Sequence, residues 1–269
     1  MTATASPDLR LPAGSRPLLA VVRVRLGLIA LLIGVSGAAW WWTARQMSGM
    51  DNGPWTGLGR LGWFVAVWVA MTAAMMFPSV APTVGLYSYM TRTRSAAAPL
   101  LFAGGYLVTW AVAGVAAFAI AFAGGRITGD VLAWNRAGRW VACATLIVAA
   151  VYELTPLKDV CLGKCRSPLG ALLASWRSGS LGAVAMGMRN GAWCVGCCWA
   201  LMASLFALGV MSVIWMALIA AVIAAEKLVP WERAATYGTA VLLAALGVVL
   251  FVAPQDLPGL TVPSMMMAH

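Results

Sequence analysis

Seven apolar stretches, at roughly residues 26–44, 61–81, 99–123, 140–156, 182–207, 210–229 and 235–254, limit what this chain can fold into. Each is about 17–25 residues long, enough for a helix rising about 1.5 Å per residue to cross about 30 Å of hydrocarbon. Strands of a membrane barrel would alternate apolar and polar residues with a period of two, and that pattern is absent. A water-soluble surface is excluded by charge. Only 10% of the 269 residues are charged and 62% are hydrophobic, where a soluble domain carries roughly 25% charged residues. The expected fold class is therefore all-α, a polytopic transmembrane helical bundle of about seven spans.

Charge placement sets the expected orientation. With the N-terminus on the cytoplasmic side, twelve basic residues between Arg10 and Arg233 fall inside and five (Arg45, Arg60, Arg126, Arg136 and Arg139) fall outside. That bias follows the positive-inside rule, and the inverted arrangement breaks it. The net charge of +10 is thus an orientation signal rather than a nucleic-acid footprint, since no basic patch with interleaved aromatics occurs. Trp40, Trp41 and Trp42 close the first stretch like an interfacial belt. No small-x-small cleavage pattern follows that stretch, so it is expected to stay as the first span. Residues 1–20 read as a disordered polar segment, 21–254 as the bundle and 255–269 as an outer-side tail. A multi-pass location in a bacterial-type inner (plasma) membrane follows, with membrane lipid as the first partner. The break between the fifth and sixth spans rests on Gly209 alone.

The fifth stretch carries the strongest chemical signal. Cys194, Cys197 and Cys198 are spaced three and four apart, so they share one helix face. Continuing the i, i+4 row gives Met186, Asn190, Cys194, Cys198 and Met202. Gly187 and Gly191 form a small-xxx-small pair that lets a neighbouring helix approach closely. Cysteine is common as a small buried hydrophobe, but three thiols in five residues favour metal or redox chemistry over plain packing. The second stretch adds Met71, Met75 and Met76 ahead of Pro78 and Pro82. Thioethers meeting thiols inside the bundle would make a soft-donor site, and soft donors select Cu(I).

Other groups are read more plainly. Glu153 and Arg189 are embedded in apolar stretches, where a charge costs about 2.5–3.5 kcal/mol on the insertion scale. They are expected to pair or to share a polar cavity. Cys161 and Cys165, four apart in the inner segment 157–181, make a possible secondary thiol site, but two ligands fall short of the four of structural zinc. Met47, Met50, Asp51, Met265, Met266, Met267 and His269 are expected on the outer side, as a possible soft-donor cluster. His269 is the one histidine, so bis-histidine haem and a three-histidine zinc site are excluded within one chain. No phosphate loop, Ser/His/Asp triad or carboxylate pair is apparent, and no catalytic residue is assigned.

Three motifs carry a family resemblance. They are W-x₂-M-x₃-M-M-x-P from Trp68 to Pro78, the run from Tyr152 to Pro168 (Y-x-L-T-P-L-K-x₂-C-L-x₂-C-R-S-P), and the segment from Gly187 to Met202 that ends C-C-W-A-L-M. Over roughly residues 45–235 the chain resembles the family described as predicted metal-binding integral membrane proteins, often labelled copper chaperones. The resemblance implies copper handling by the methionines of the second span and the cysteines of the fifth. Where relatives often carry His, this chain has Asn190, which moves the implied site toward sulfur alone.

The expected function is therefore a Cu(I)-binding membrane protein, not an enzyme, acting in copper delivery or metalloprotein assembly. The expected ligands are Cys194, Cys197, Cys198, Met71, Met75, Met76 and Met202. The expected partner is a metalloprotein client or membrane complex. Two alternatives remain at this point. One is an intramembrane thiol redox protein using the C-x-x-C at Cys194 and Cys197, with Cys198 or Cys143 as resolving thiol. The other is a non-catalytic accessory subunit of a membrane complex.

Overall fold

The computed structural model describes residues 15–47, 60–91, 97–128, 138–174, 176–208 and 212–253. Among the described residues all regular structure is helical: α1 (Ser15–Met47), α2 (Leu61–Thr91), α3 (Ala98–Thr128), α4 (Arg139–Glu153), α5 (Pro156–Arg166), α6 (Pro168–Leu173), α7 (Gly179–Leu208), α8 (Val213–Leu228) and α9 (Glu232–Val252). Five contain segments long and apolar enough to cross a membrane: Leu26–Gln46, Leu61–Thr91, Ala98–Arg126, Gly179–Leu208 and Arg233–Val252. A sixth is added if α4 and α5, bent by 67°, count as one broken span. The expectation of about seven is met in part, because α4 has 15 residues and α8 has 16, short for a straight crossing. α1 begins at Ser15, within the 1–20 segment, while the 255–269 tail lies outside the described residues. On either side of Gly209, α7 ends at Leu208 and α8 begins at Val213.

α7 is the axis of the bundle, with α3, α4, α5 and α8 packed around it, α1 and α8 against α2, and α9 against α4. Glycines set how close α3 and α7 come. A Cβ on Gly187 would run into the carbonyl oxygen of Phe102, and one on Gly105 into that of Val184. A Cβ on Gly191 would lie 2.9 Å from the Thr109 side chain. The small-xxx-small pair thus brings two backbones together, and Thr109 Oγ1 donates to the Met188 carbonyl across the seam at 2.9 Å. Close backbone approach is what such pairs provide, through dispersion and short polar contacts.

Pro78 explains how α1 is attached. Proline has no N–H, so the carbonyl of Ala74, one turn earlier, loses its helical donor. Two groups of α1 take its place: Ser36 Oγ at 2.6 Å and Trp40 Nε1 at 3.1 Å, both donating to the Ala74 carbonyl. Ser36 and Trp40 are four residues apart and so lie on the same face of α1.

The segment 157–181, expected as an inner loop, instead folds into α5 and α6. Thr155 adopts an extended conformation and caps α5, accepting from Lys158 N, with Pro156 in its first turn, where its missing N–H costs nothing. Tyr152 Oη donates to the Gly196 carbonyl at 2.5 Å and ties the bend to α7. Lys158, Cys161 and Leu162 are buried, so α5 lies against the bundle.

Candidate metal centre

The three thiols of α7 converge as their spacing requires. Cys194, Cys197 and Cys198 are buried, and their Sγ atoms all lie within 4.8 Å of one another. Cys194 and Cys198 are 3.6 Å apart, and Cys197 and Cys198 are 3.9 Å apart. From α2, the thioether sulfur of Met76 comes to 4.0 Å from Cys194 Sγ. From α5, Cys165 Sγ lies 3.8 Å from Cys197 Sγ. Cys161 packs on α7 where Gly196 leaves room, since a Cβ there would sit 2.8 Å from its sulfur. Five of the six cysteines therefore gather at one place; Cys143 is buried on α4 and takes no part in this network.

The donor set fits a small soft cation. A central ion with sulfur at about 2.3 Å, the length of a zinc–thiolate bond, holds three sulfurs about 4 Å apart in a trigonal plane. The observed separations of 3.6 and 3.9 Å, with the third pair inside 4.8 Å, match that geometry closely. Thiolate and thioether donors suit Cu(I) better than harder ions.

Two polar groups complete the surroundings. Lys227 of α8 places Nζ 3.0 Å from Cys194 Sγ and 3.8 Å from Met76 Sδ. Tyr106 of α3, 1% exposed, brings its hydroxyl to 3.0 Å from the same thiol. Cys198 Sγ donates to the Cys194 carbonyl at 2.7 Å, holding its sulfur toward the cluster. Asn190 lines a small polar cleft with Ser79, Thr83, Cys165, Cys194 and Lys227. Lys227 and Tyr106 were absent from the sequence-derived site. Their signals were a lysine that follows Glu226 at the end of a long apolar run and a tyrosine beside Gly104 and Gly105.

The remaining expected residues fall elsewhere or differ. Met71 and Met75 are buried in the same core cluster as Met76 and the thiols, and Met76 is the methionine whose sulfur contacts Cys194. Met202 faces a separate apolar cavity of about 560 Å³, lined also by Trp68, Trp110 and Phe206. Met50, Asp51, Met265, Met266, Met267, His269 and the side chain of Met47 lie outside the described residues.

The expected pairing of Glu153 with Arg189 is corrected by the structure. Arg189 is on an exposed face of α7, beside Arg177 and Met186. Glu153 instead meets Lys158 at 2.5 Å, and Lys158 meets Glu226 of α8 at 2.8 Å, all within the interior. Two carboxylates thus share one ammonium, which joins α4, α5 and α8. The physical reason is the 67° bend, which folds Lys158 back over the end of α4.

Helices throughout the described residues, with apolar segments of membrane-crossing length and a buried cluster of three thiols able to hold a metal ion, define an all-helical bundle with a candidate metal site. The chain belongs to the PpoB2 copper chaperone family, whose match covers residues 65–250. Neither a curated protein nor a solved structure matches it.

Proposed function

We propose that this chain is an integral membrane protein that holds Cu(I) on Cys194, Cys197 and Cys198 with Met76, and delivers it during metalloprotein assembly. The observation that carries the reading is the meeting of sulfur atoms from two long apolar helices, with Met76 Sδ 4.0 Å from Cys194 Sγ. Membrane insertion is supported by the outer surface of the bundle, where Ile120, Val241 and Val252 are 74%, 69% and 71% exposed. Such side chains are at ease against lipid and disfavoured against water. The charge bias of the connections supports a cytoplasmic N-terminus, in a plasma membrane of bacterial type.

Lys227 supports a site that accepts a monovalent ion. Cu(I) bound by three thiolates leaves two net negative charges, and an ammonium 3.0 Å from one of those sulfurs offsets one of them. Neutral thioethers add donor strength without adding charge. The test is metal analysis of the purified full chain in detergent after Cu(I) loading, beside Cys194→Ser/Cys197→Ser. About one copper per chain, lost in the double variant, is expected for a single three-sulfur site. Absence of copper from the wild type defeats the reading.

A thiol redox role is the second reading, favoured by one observation. Cys165 lies 3.8 Å from Cys197 and is partly exposed, so a buried C-x-x-C has a thiol near the surface. A reversible disulfide in a chain that takes up no copper would support it.

A further inference from the structure

Four of the five clustered thiols are closed off: Cys161, Cys194, Cys197 and Cys198 are between 1% and 6% exposed. Cys165 alone among them is partly open. Copper passes between proteins by ligand exchange, in which the incoming sulfur must touch the ion or its ligands before the outgoing one lets go. A carrier cannot bring a thiolate to sulfur atoms this deeply buried, so some ligand must bridge inside and outside.

The sulfur atoms form such a bridge. From Cys194 to Cys198 is 3.6 Å, from Cys198 to Cys197 is 3.9 Å, and from Cys197 to Cys165 is 3.8 Å. Each step is short enough for one ion to be held by both sulfurs at once, given metal–sulfur bonds of about 2.3 Å. The surroundings give the direction. Cys165 and Cys194 both line the polar cleft with Ser79, Thr83, Asn190 and Lys227, and its volume of about 10 Å³ is close to that of a single water site. The larger cavity beside Met202 is lined by apolar and aromatic side chains with Thr145 and includes no thiol.

Cys165 also belongs to a separate element. α5 joins α4 through the bend at Leu154 and Thr155, and its end is held by the Arg166 guanidinium on the backbone carbonyls of Glu226 and Val229. The thiol is therefore fixed beside Cys197 from outside α7, on the side where the cleft opens.

We propose that Cys165 is the exchange ligand, through which Cu(I) passes between the buried thiols and an external carrier presenting soft sulfur donors. This rests on the copper reading given above. In the outward direction, Cys165 sulfur bonds to the ion while the bond from Cys194 or Cys198 breaks. A carrier thiolate then bonds as the bond from Cys197 breaks, a second carrier donor replaces the remaining α7 thiolate, and the bond from Cys165 breaks last. The copper stays Cu(I) and no electron moves. Each arriving thiol gives up one proton, and each departing thiolate takes one up.

The test loads the full chain in detergent with one equivalent of Cu(I) and mixes it with excess bicinchoninate, following release by absorbance. Wild type, Cys165→Ser and Cys165→Met are compared, with equilibrium affinity measured separately. Cys165→Ser is expected to keep its copper with affinity within about threefold of wild type and to release it about tenfold or more slowly, because serine is a poor Cu(I) ligand. Cys165→Met, which restores a soft donor, is expected to recover most of the rate. Release from Cys165→Ser as fast as from wild type overturns the proposal, as does loss of copper binding in both variants. A wild-type chain that takes up no copper is detected at the loading step, and defeats the copper reading before exchange is measured.

Discussion

The ammonium of Lys227 lies 3.0 Å from the sulfur of Cys194, although the two residues are on different helices and 33 positions apart. Lys227 is half-buried, and a thiolate at Cys194, when it forms or binds metal, has this ammonium within hydrogen-bond reach. The same lysine also stands 3.8 Å from Met76, so it borders both kinds of sulfur donor.

Replacing Lys227 by Met keeps length and removes the charge. Copper held by thiolates would then sit as an uncompensated buried anion. Lys227→Met is expected to weaken Cu(I) binding by roughly 10–100-fold, the scale of a lost charged hydrogen bond of about 1.5–3 kcal/mol. Competition titration against a Cu(I) chelator measures it, and unchanged affinity would remove Lys227 from the account.

The three methionines of α2 are expected to separate in the same assay. Met76→Leu preserves volume and deletes the thioether near Cys194, and should weaken copper binding by about tenfold while unfolding stability changes by less than about 1.5 kcal/mol. Met71→Leu and Met75→Leu should leave the affinity alone. An equal loss from all three would mean that the effect is packing rather than ligation.

The Glu153–Lys158–Glu226 group makes an ordered prediction. Removing the one ammonium leaves two facing buried carboxylates, whereas removing one carboxylate leaves a matched pair. Lys158→Met is therefore expected to cost about 3–5 kcal/mol, the usual penalty for breaking a buried ion pair from one side. Glu226→Gln should cost clearly less. Denaturation in mixed micelles gives the ranking, and the reverse order would sink this assignment.

Close approach of α3 and α7 is testable at one methyl group. Gly187→Ala pushes a Cβ into the Phe102 carbonyl, while Gly104→Ala, on the same α3, meets nothing within 4 Å. The first should destabilise the bundle by about 1–3 kcal/mol, as overpacking does. The second should be neutral or mildly stabilising. Similar melting curves for the two would contradict the packing described.

Much of this arrangement was legible in the residues, and the omissions have physical causes. Block length places the long helices, and the spacing of Cys194, Cys197 and Cys198 puts three thiols on one face, because both depend only on helix geometry. Which methionine meets them is not local. It depends on the rotation of α2, which Pro78, Ser36 and Trp40 fix through the Ala74 carbonyl. Arg189 and Glu153 are both embedded in sequence, but depth along a helix says nothing of the direction a side chain faces. The bend at Thr155 decides that Lys158, rather than Arg189, reaches Glu153. Lys227 reads as an orientation charge at the end of a stretch, and only the packing of α8 against α2 and α7 turns it toward sulfur.

The Ala74 carbonyl has a consequence for engineering the chain. Ser36 and Trp40 make the opening helix a fitted part of the bundle, so an anchor of equal greasiness would not substitute for it. Such a graft would leave an oxygen stranded in oil, at about 1–3 kcal/mol, and would loosen the same turn of α2 that presents Met76. Tags and fusions are safest placed ahead of Ser15, where they leave that hydroxyl and indole undisturbed.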